Sequence, residues 1–318
     1  FTHKITIENG RAIGAVFTAD SQATEIRCNK EVIVSCGSIN SPQLLMLSGI
    51  GPREHLQKFG IPVIVDSPQV GKNLQDHLQL RITYRLNKPI SFNDQYHSYL
   101  EKIKIGMEYY IKRSGPMAYP TAQVGLFTRS SPLIDTPDIQ YHFSNYTIDE
   151  KTGLPDKFPG MTFSVCHLRP QSRGEILLRS TDADQHPRII PNYLSTAEDC
   201  RVAIEEIRLT RKIAATEPLA SVVDAELDPG PDVLTDEQCL DFARSNGTSI
   251  YHPVGTCRMG SDADAVVDSN LLVRGVDNLR VVDASVMPTL ISGNTYAATL
   301  AIAERAADLI LKSAATRQ

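Results

Sequence analysis

Two stretches near the C-terminal end constrain this chain more than any other feature. The first is Tyr251-His252-Pro253-Val254-Gly255-Thr256-Cys257-Arg258-Met259-Gly260. Pro253 lacks a backbone N–H and has a fixed φ, so the stretch is neither a helix interior nor a central strand. His252 therefore sits on an irregular turn. The second stretch reads Val281-Val282-Asp283-Ala284-Ser285-Val286-Met287-Pro288, then Gly293-Asn294-Thr295-Tyr296-Ala297-Ala298. Its apolar start, Leu279 to Val282, predicts a buried strand. An acidic residue and a loop come next, and a helix is predicted from about Thr295 to Leu311. Asn294 stands where the N-cap of that helix is expected. A histidine on one loop and an amide at a helix start can converge on one substrate atom.

The rest of the chain reads as mixed α/β. Lys4 to Glu8 and Ala12 to Phe17 flank Asn9-Gly10, a strong hairpin signal. Glu31 to Cys36 is an apolar, β-branched run that predicts a strand inside a sheet. It ends at Gly37-Ser38, and Ser41-Pro42 predicts a helix start. Such a corner is either a resting place for a cofactor or an ordinary strand-to-helix turn. A short helix is expected over Arg53 to Phe59 and a small strand over Pro62 to Val65. The middle, about 78 to 245, changes character. Strands are expected at Leu78 to Leu86, Ala122 to Thr128, Asp138 to Phe143, Met161 to Leu168 and Glu175 to Leu178. Alternation such as Gln140-Tyr141-His142-Phe143 suits an antiparallel sheet with one buried face. Helices are expected at His97 to Lys112, Ala197 to Thr216 and Asp236 to Ser245. The last helix carries Ala298, Leu300, Ala301, Ile302, Ala306, Leu309 and Ile310, a composition suited to close packing on a sheet.

Several function classes fall away on composition. A net charge of −5 over 318 residues, with no basic run, argues against a nucleic-acid partner. No apolar run approaches the roughly 20 residues that span a bilayer. The six cysteines, Cys28, Cys36, Cys166, Cys200, Cys239 and Cys257, show no metal-ligand spacing, so no metal is expected. Irregular cysteines of this kind suit a reduced, cytoplasmic chain, with peripheral membrane contact left open. Cys257 reads either as a thiol nucleophile or, as we prefer, as a small buried apolar side chain. No GxSxG elbow is present, which disfavours a serine hydrolase.

Four blocks in order resemble one family. Tyr251 to Gly260 and the Val281 to Ala298 stretch resemble the glucose-methanol-choline (GMC) oxidoreductases, FAD-dependent enzymes that oxidise alcohols, in their choline and alcohol dehydrogenase branch. Cys36 to Pro52 and Val70-Gly71-Lys72-Asn73-Leu74-Gln75-Asp76-His77 agree with it. Tyr296 departs from the pattern, which commonly has a second Asn there. The resemblance implies a GMC-type FAD-binding α/β domain with an inserted antiparallel-sheet substrate domain. The expected division is 1–77 and 246–318 for the FAD-binding parts and 78–245 for the substrate domain. The GxGxxG turn that holds the FAD pyrophosphate in this family is not found in the sequence. The chain is thus expected to be the C-terminal part of a longer protein, with an N-terminal FAD-binding segment elsewhere.

The resemblance also implies roles for individual residues. Removing a proton from an alcohol oxygen needs a base with a pKa near working pH, and histidine suits. His252 is expected to be that base, and Asn294 the group that orients the alcohol. Asp283, Ala284, Asn294, Thr295 and Gly37 are expected around the FAD, and the helix N-terminus near Thr295 is expected to face the flavin. Tyr251 and Ile250 are expected to wall the substrate pocket. The residues alone leave bland alternatives open: a core His252, an Asn294 that only caps its helix, and a turn aspartate at Asp283. His77 reads as non-catalytic, with Asn73 and Asp76 holding a turn. The expected substrate is a small primary alcohol, with oxygen or a quinone as electron acceptor. A non-redox lyase on the same scaffold, or a subunit needing an N-terminal partner chain, are the alternative readings.

Overall fold

The computed structural model describes residues 2–315. Asn9 and Gly10 both take positive φ, 48° and 77°, as a two-residue hairpin turn with the native twist requires. They join the antiparallel strands Thr2–Glu8 and Arg11–Ala19. Asp20 and Ser21, at 49° and 61°, repeat the turn and add a third strand, Gln22–Arg27.

The chain divides into two units. The first comprises Phe1–Asp76, Pro170–Ser195 and Tyr251–Gln318. At its centre Val32–Val34 lies parallel to Leu279–Val281, Val32 opposite Leu279 and Val34 opposite Val281. Val34, Leu279 and Val281 join Leu45, Met46, Ile50, Leu56 and Val267 in one buried core. Both strands end on the same side, so Ser35–Gly37 and Val282–Ala284 emerge together. Ligands of parallel sheets bind at such carboxyl ends. The Gly37–Leu47 helix begins at once, four residues before its expected start, and Pro42 lies inside it. Pro42 has no N–H for the carbonyl of Ser38, one turn back. That carbonyl instead accepts the Thr256 hydroxyl at 2.6 Å. The proline is tolerated because a residue from the His252 stretch takes up the freed acceptor.

The second unit comprises His77–Arg169 and Thr196–Ile250. Its sheet runs in the order Val223–Asp228, Leu78–Leu86, Gly160–His167, Ile139–Ser144, Val124–Thr128 and is antiparallel throughout. Thr248–Ser249 adds a short strand beside Leu78–Leu86. One face is apolar: Leu80, Ile82 and Tyr84 sit opposite Val165, Phe163 and Met161. The Ala197–Ala214 helix packs on this sheet, and Asp236–Asn246 packs beside it. The opposite face is polar, with Gln79, Arg81, Gln140, His142 and Ser164 in register.

Three differences from the sequence expectation have physical causes. Residues 170–195 belong to the first unit, not the middle. The hairpin of Glu175–Leu177 and Arg188–Ile190 buries Ile176 and Leu178 in the first core, and Ile176 N–H donates to Gly71 O at 2.7 Å. The expected helix over His97 to Lys112 is two, Phe92–His97 and Tyr99–Lys112, broken at the extended Ser98. A Ser91/Asp94 capping box starts the first of them. Lastly, the C-terminal helix, Tyr296–Ala315, buries Ala306 and packs Ile302 on the core but leaves Leu300 exposed. Its apolar positions spread beyond one face, so only part of them can meet the core.

Candidate active site

The irregular turn required by Pro253 is held by side chains from the Val70–Asp76 segment. Gln75 and Val254 exchange both backbone bonds, at 3.1 and 2.9 Å. The Gln75 amide donates to Pro288 O at 3.2 Å and accepts Leu290 N–H at 3.1 Å. Asn73, at φ 60°, donates from its amide to Gly255 O and Pro288 O at 3.3 and 3.2 Å. Gly255 sits at φ 95°, and a Cβ there would lie 2.4 Å from Asn73 O, so glycine is required. Asn73 and Asp76 were expected to hold a turn by side-chain bonds. Their bonds also run across the fold: Asn73 ties the two C-terminal stretches together, and Asp76 joins the His252 stretch to Tyr193.

Asp76 is the pivot. Its Oδ1 accepts the His252 backbone N–H at 3.0 Å, and its Oδ2 accepts the Tyr193 hydroxyl at 2.5 Å. His252 is 8 % exposed, so its ring is largely shielded from water yet reachable. The Asn294 amide nitrogen lies 3.4 Å from His252 Nε2. For that amide to donate, Nε2 must carry no proton, which is the state a base needs.

Asn294 is not the helix cap. The helix begins at Tyr296, and Thr299 N–H donates to Thr295 O at 3.0 Å, so Thr295 occupies the boundary. The Asn294 side-chain amide reaches His252 Nε2. The helix N-terminus comes immediately after, bringing about half a positive charge close to this pair.

Asp283 is used inside the protein. Its Oδ2 accepts Gly37 N–H at 3.0 Å and the Ser41 hydroxyl at 2.5 Å, and its Oδ1 accepts Ser285 N–H at 2.8 Å. One carboxylate thus joins the carboxyl ends of both parallel strands to the start of the Gly37–Leu47 helix. Cys257 N–H and Met259 N–H donate to Ser285 O and Val286 O at 2.9 and 2.8 Å, and Gly255 N–H to Ala284 O at 3.4 Å. These bonds lay the His252 stretch alongside Ala284. Gly37 takes φ 78° with open space where a side chain would point, and Gly293 is open in the same way.

Tyr251 is 86 % exposed and adopts φ 63°, a left-handed backbone that is strained for an aromatic residue and recurs at functional sites. Ile250 lies in the second unit, where its N–H donates to His77 O at 3.2 Å. His77 is fully buried, with Nε2 3.1 Å from Leu168 O, and is a core histidine. Cys257 is buried, and desolvation pushes its thiol well up, with Asp283 adding to it. Desolvation and then Asp283 also raise Cys36. Neither thiol is an activated nucleophile. No metal-binding group of acidic, histidine or cysteine side chains is found among the described residues. Sequence reasoning missed Tyr193, Gln75 and Thr256 as supports. Asp76 was visible within the Val70–His77 block, whereas nothing local marks Tyr193.

A GMC oxidoreductase family model matches residues 1–79, and a second matches 170–303. The chain is 43 % identical over 309 residues to the mitochondrial choline dehydrogenase of Homo sapiens, covering 96 % of this chain and 52 % of that protein. It is 41 % identical over 313 residues to an alcohol dehydrogenase [acceptor] of Pseudomonas putida, covering 97 % and 56 %. It thus spans about half the length of the curated relatives it matches. Among solved structures, a formate oxidase of Aspergillus oryzae RIB40, described for its FAD modification, superposes with a TM-score of 0.91 at 26 % identity, over 98 % of this chain and 60 % of that one. A pyridoxine 4-oxidase from Mesorbium loti gives 0.82 at 29 %, over 96 % and 56 %.

Proposed function

Since the chain belongs to the GMC oxidoreductases, we propose that it carries the base and the alcohol-orienting amide of an enzyme that oxidises a primary alcohol to an aldehyde. The observation that carries this reading is the 3.4 Å approach of the Asn294 amide to His252 Nε2. An alcohol that takes the place of the Asn294–Nε2 contact would receive a hydrogen bond from the Asn294 amide and give its proton to the freed Nε2 lone pair. Asp76 holds the His252 backbone N–H and so fixes the turn from which the ring extends. The positive end of the Tyr296–Ala315 helix favours the negative charge that grows on that oxygen.

The cofactor is FAD, the acceptor for the hydride that leaves the alcohol carbon. The residues present fit part of it. Gly37 and Gly293 leave open space, and the buried Ser38 hydroxyl, one residue past the turn, has no hydrogen-bond partner. Gly37 N–H is already given to Asp283, so we assign Gly37 the role of leaving room, with Ala284, Asn294 and Thr295 as neighbours of the flavin. The pyrophosphate falls to a GxGxxG segment outside this sequence. The exposed Ile33 on a strand pair of only two parallel members supports such a neighbour, since parallel strands are normally covered on both faces.

Electrons pass on to oxygen or a quinone. The relatives named for choline and for alcohols make a quaternary ammonium alcohol and neutral primary alcohols the substrates to compare. No helix among the described residues is long and apolar enough to cross a membrane. The test is His252→Ala in the flavin-loaded protein. Alcohol-dependent flavin bleaching is expected to slow by roughly 10²–10⁴ while the flavin spectrum persists. Bleaching at the unmodified rate would remove His252 as the base.

A further inference from the structure

The Tyr99–Lys112 helix of the second unit is inverted. An amphipathic surface helix normally turns its apolar face to the core and its charges to water. The Ala197–Ala214 helix turns its apolar side inward: Val202, Ala203, Ile207 and Ala214 are buried, with Asp199 and Glu206 among them, while Arg208 is exposed and pairs with Glu205 and Asp236. In Tyr99–Lys112 no residue is buried. Tyr99 is 79 % exposed, Tyr110 78 % and Leu100 70 %, with Ile103, Met107 and Ile111 exposed beside them. At 3.6 residues per turn these six fall on one continuous stripe. The adjoining Pro116–Ala118 turn packs on the helix and extends the patch with the exposed Met117.

The charges are arranged around that stripe. Lys102 and Arg113 border one side, where Lys102 lies over the Tyr96 ring at 4.1 Å and Arg113 over Tyr109 at 5.3 Å. Lys104 borders the other. The carboxylates are engaged: Glu101 pairs with Lys104, and Glu108 accepts the Ser114 hydroxyl at 3.0 Å. Over residues 99–113 four cations, Lys102, Lys104, Lys112 and Arg113, stand against two anions, Glu101 and Glu108. The local charge is therefore positive in a chain of net −5.

We infer that this helix is a docking surface for an anionic phospholipid membrane, on which it lies with the Tyr99–Tyr110 stripe in the headgroup–acyl boundary. Apolar and aromatic side chains on one face with Lys and Arg at the rims are the arrangement that binds such an interface. The rim charges decide between occupants. A second copy laid against the stripe would bring like-charged rims together, whereas anionic headgroups neutralise them.

The test is co-sedimentation of the purified full-length protein with vesicles of phosphatidylcholine and phosphatidylglycerol, compared with phosphatidylcholine alone. The anionic vesicles are expected to bind at least about tenfold more protein, with the difference shrinking at high salt. Leu100→Ser/Met107→Ser/Ile111→Ser should lose binding while circular dichroism is unchanged, because none of the three is buried. Should that variant misfold, Lys102→Gln/Arg113→Gln carries the test and should erase the preference for anionic vesicles. Failure of the unmodified protein to sediment with anionic vesicles would overturn the inference. So would equal binding by these variants, or a dimer in solution that the triple substitution dissolves without any vesicle binding.

Discussion

The two units hold themselves together by opposite means. The second is built from strands joined by backbone ladders, with side chains sorted into one apolar and one polar face. The first brings short, irregular segments from far apart in sequence to one place and fixes them through a few buried charged groups. Asp76 and Asp283 each accept two or three N–H or O–H donors, and Glu31 faces Arg280 at 3.0 Å with both side chains buried. The second unit's buried Glu206 is the reverse case: it is 2 % exposed, and its Oε1 has no partner. The unit built on ladders carries a carboxyl with an unsatisfied oxygen. In the site assembled from loops, Asp76 and Asp283 use both of their carboxylate oxygens, and each bond also sets the position of a neighbouring segment.

The largest effect should come from Arg280. Its guanidinium bonds Glu31 next to the Val32–Val34 strand, Asn270 O, and Ser313 on the C-terminal helix at 3.1 Å. Arg280→Met leaves Glu31 buried and unpaired, which is expected to cost about 3–5 kcal/mol. Urea unfolding would measure it. A cost below about 1 kcal/mol would mean that the first unit does not depend on its buried charges. The double substitution Arg280→Met/Glu31→Leu should recover much of the loss, since no charge then remains buried.

Glu206 tests the other side of the comparison. Burial, helped by the nearby Asp138, holds its carboxyl protonated well above the usual carboxylate range. In the unfolded chain the group loses its proton near pH ~4.3. Above that pH the unfolded state binds fewer protons than the folded one, so stability falls as pH rises until the folded group also ionises. Glu206→Gln cannot ionise, and this slope, at most about 1.4 kcal/mol per pH unit, should vanish. Denaturation midpoints between about pH 5 and about pH 7 should show the variant gaining steadily on the unmodified protein as the pH rises. Parallel pH curves for the two would mean that Glu206 ionises normally in the fold.

The same contrast explains which features were legible in the sequence. The second unit's strands and helices were readable because alternation and amphipathic periodicity are local. Asn9-Gly10 was readable for the same reason, since both residues tolerate positive φ. In the first unit, His252 and Asn294 stood out only through the wording of their stretches. The bonds that place them are long-range. Tyr193 sits on a segment whose pattern matches the middle strands, and only the burial of Ile176 and Leu178 returns that segment to the first core. Asp283 reads equally well as a ligand contact or a turn aspartate, and its three donors lie on residues near 40 and at 285. No local signal distinguishes Asn294 as a cap from Asn294 as a pocket residue, because the helix start differs by only one position. The left-handed Tyr251 has no sequence signature, since an aromatic residue does not favour that conformation.

The smallest change in stability, and the sharpest test of the loop-built site, is expected at Asp76. Asp76→Asn keeps the side-chain shape and one acceptor oxygen, so His252 N–H can still be received. The oxygen that accepts Tyr193 is replaced by an NH₂ group, which the tyrosine hydroxyl can meet only by reversing its own role as donor. Loss of one bond to a charged group is worth about 1–2 kcal/mol, far less than opening the Arg280 pair. Because Asp76 holds the His252 backbone N–H, it is a positioning residue. Its signature should be a fall in kcat of about tenfold, with KM for the alcohol nearly unchanged and the flavin spectrum intact. Tyr193→Phe removes the same bond from the other end and should reproduce the kcat loss without introducing a new donor. If Asp76→Asn lowers kcat and Tyr193→Phe does not, the Asp76 charge acts on the base directly. If neither lowers it, the His252 turn is rigid without them, and the first unit is less dependent on its clamps than the second is on its ladders.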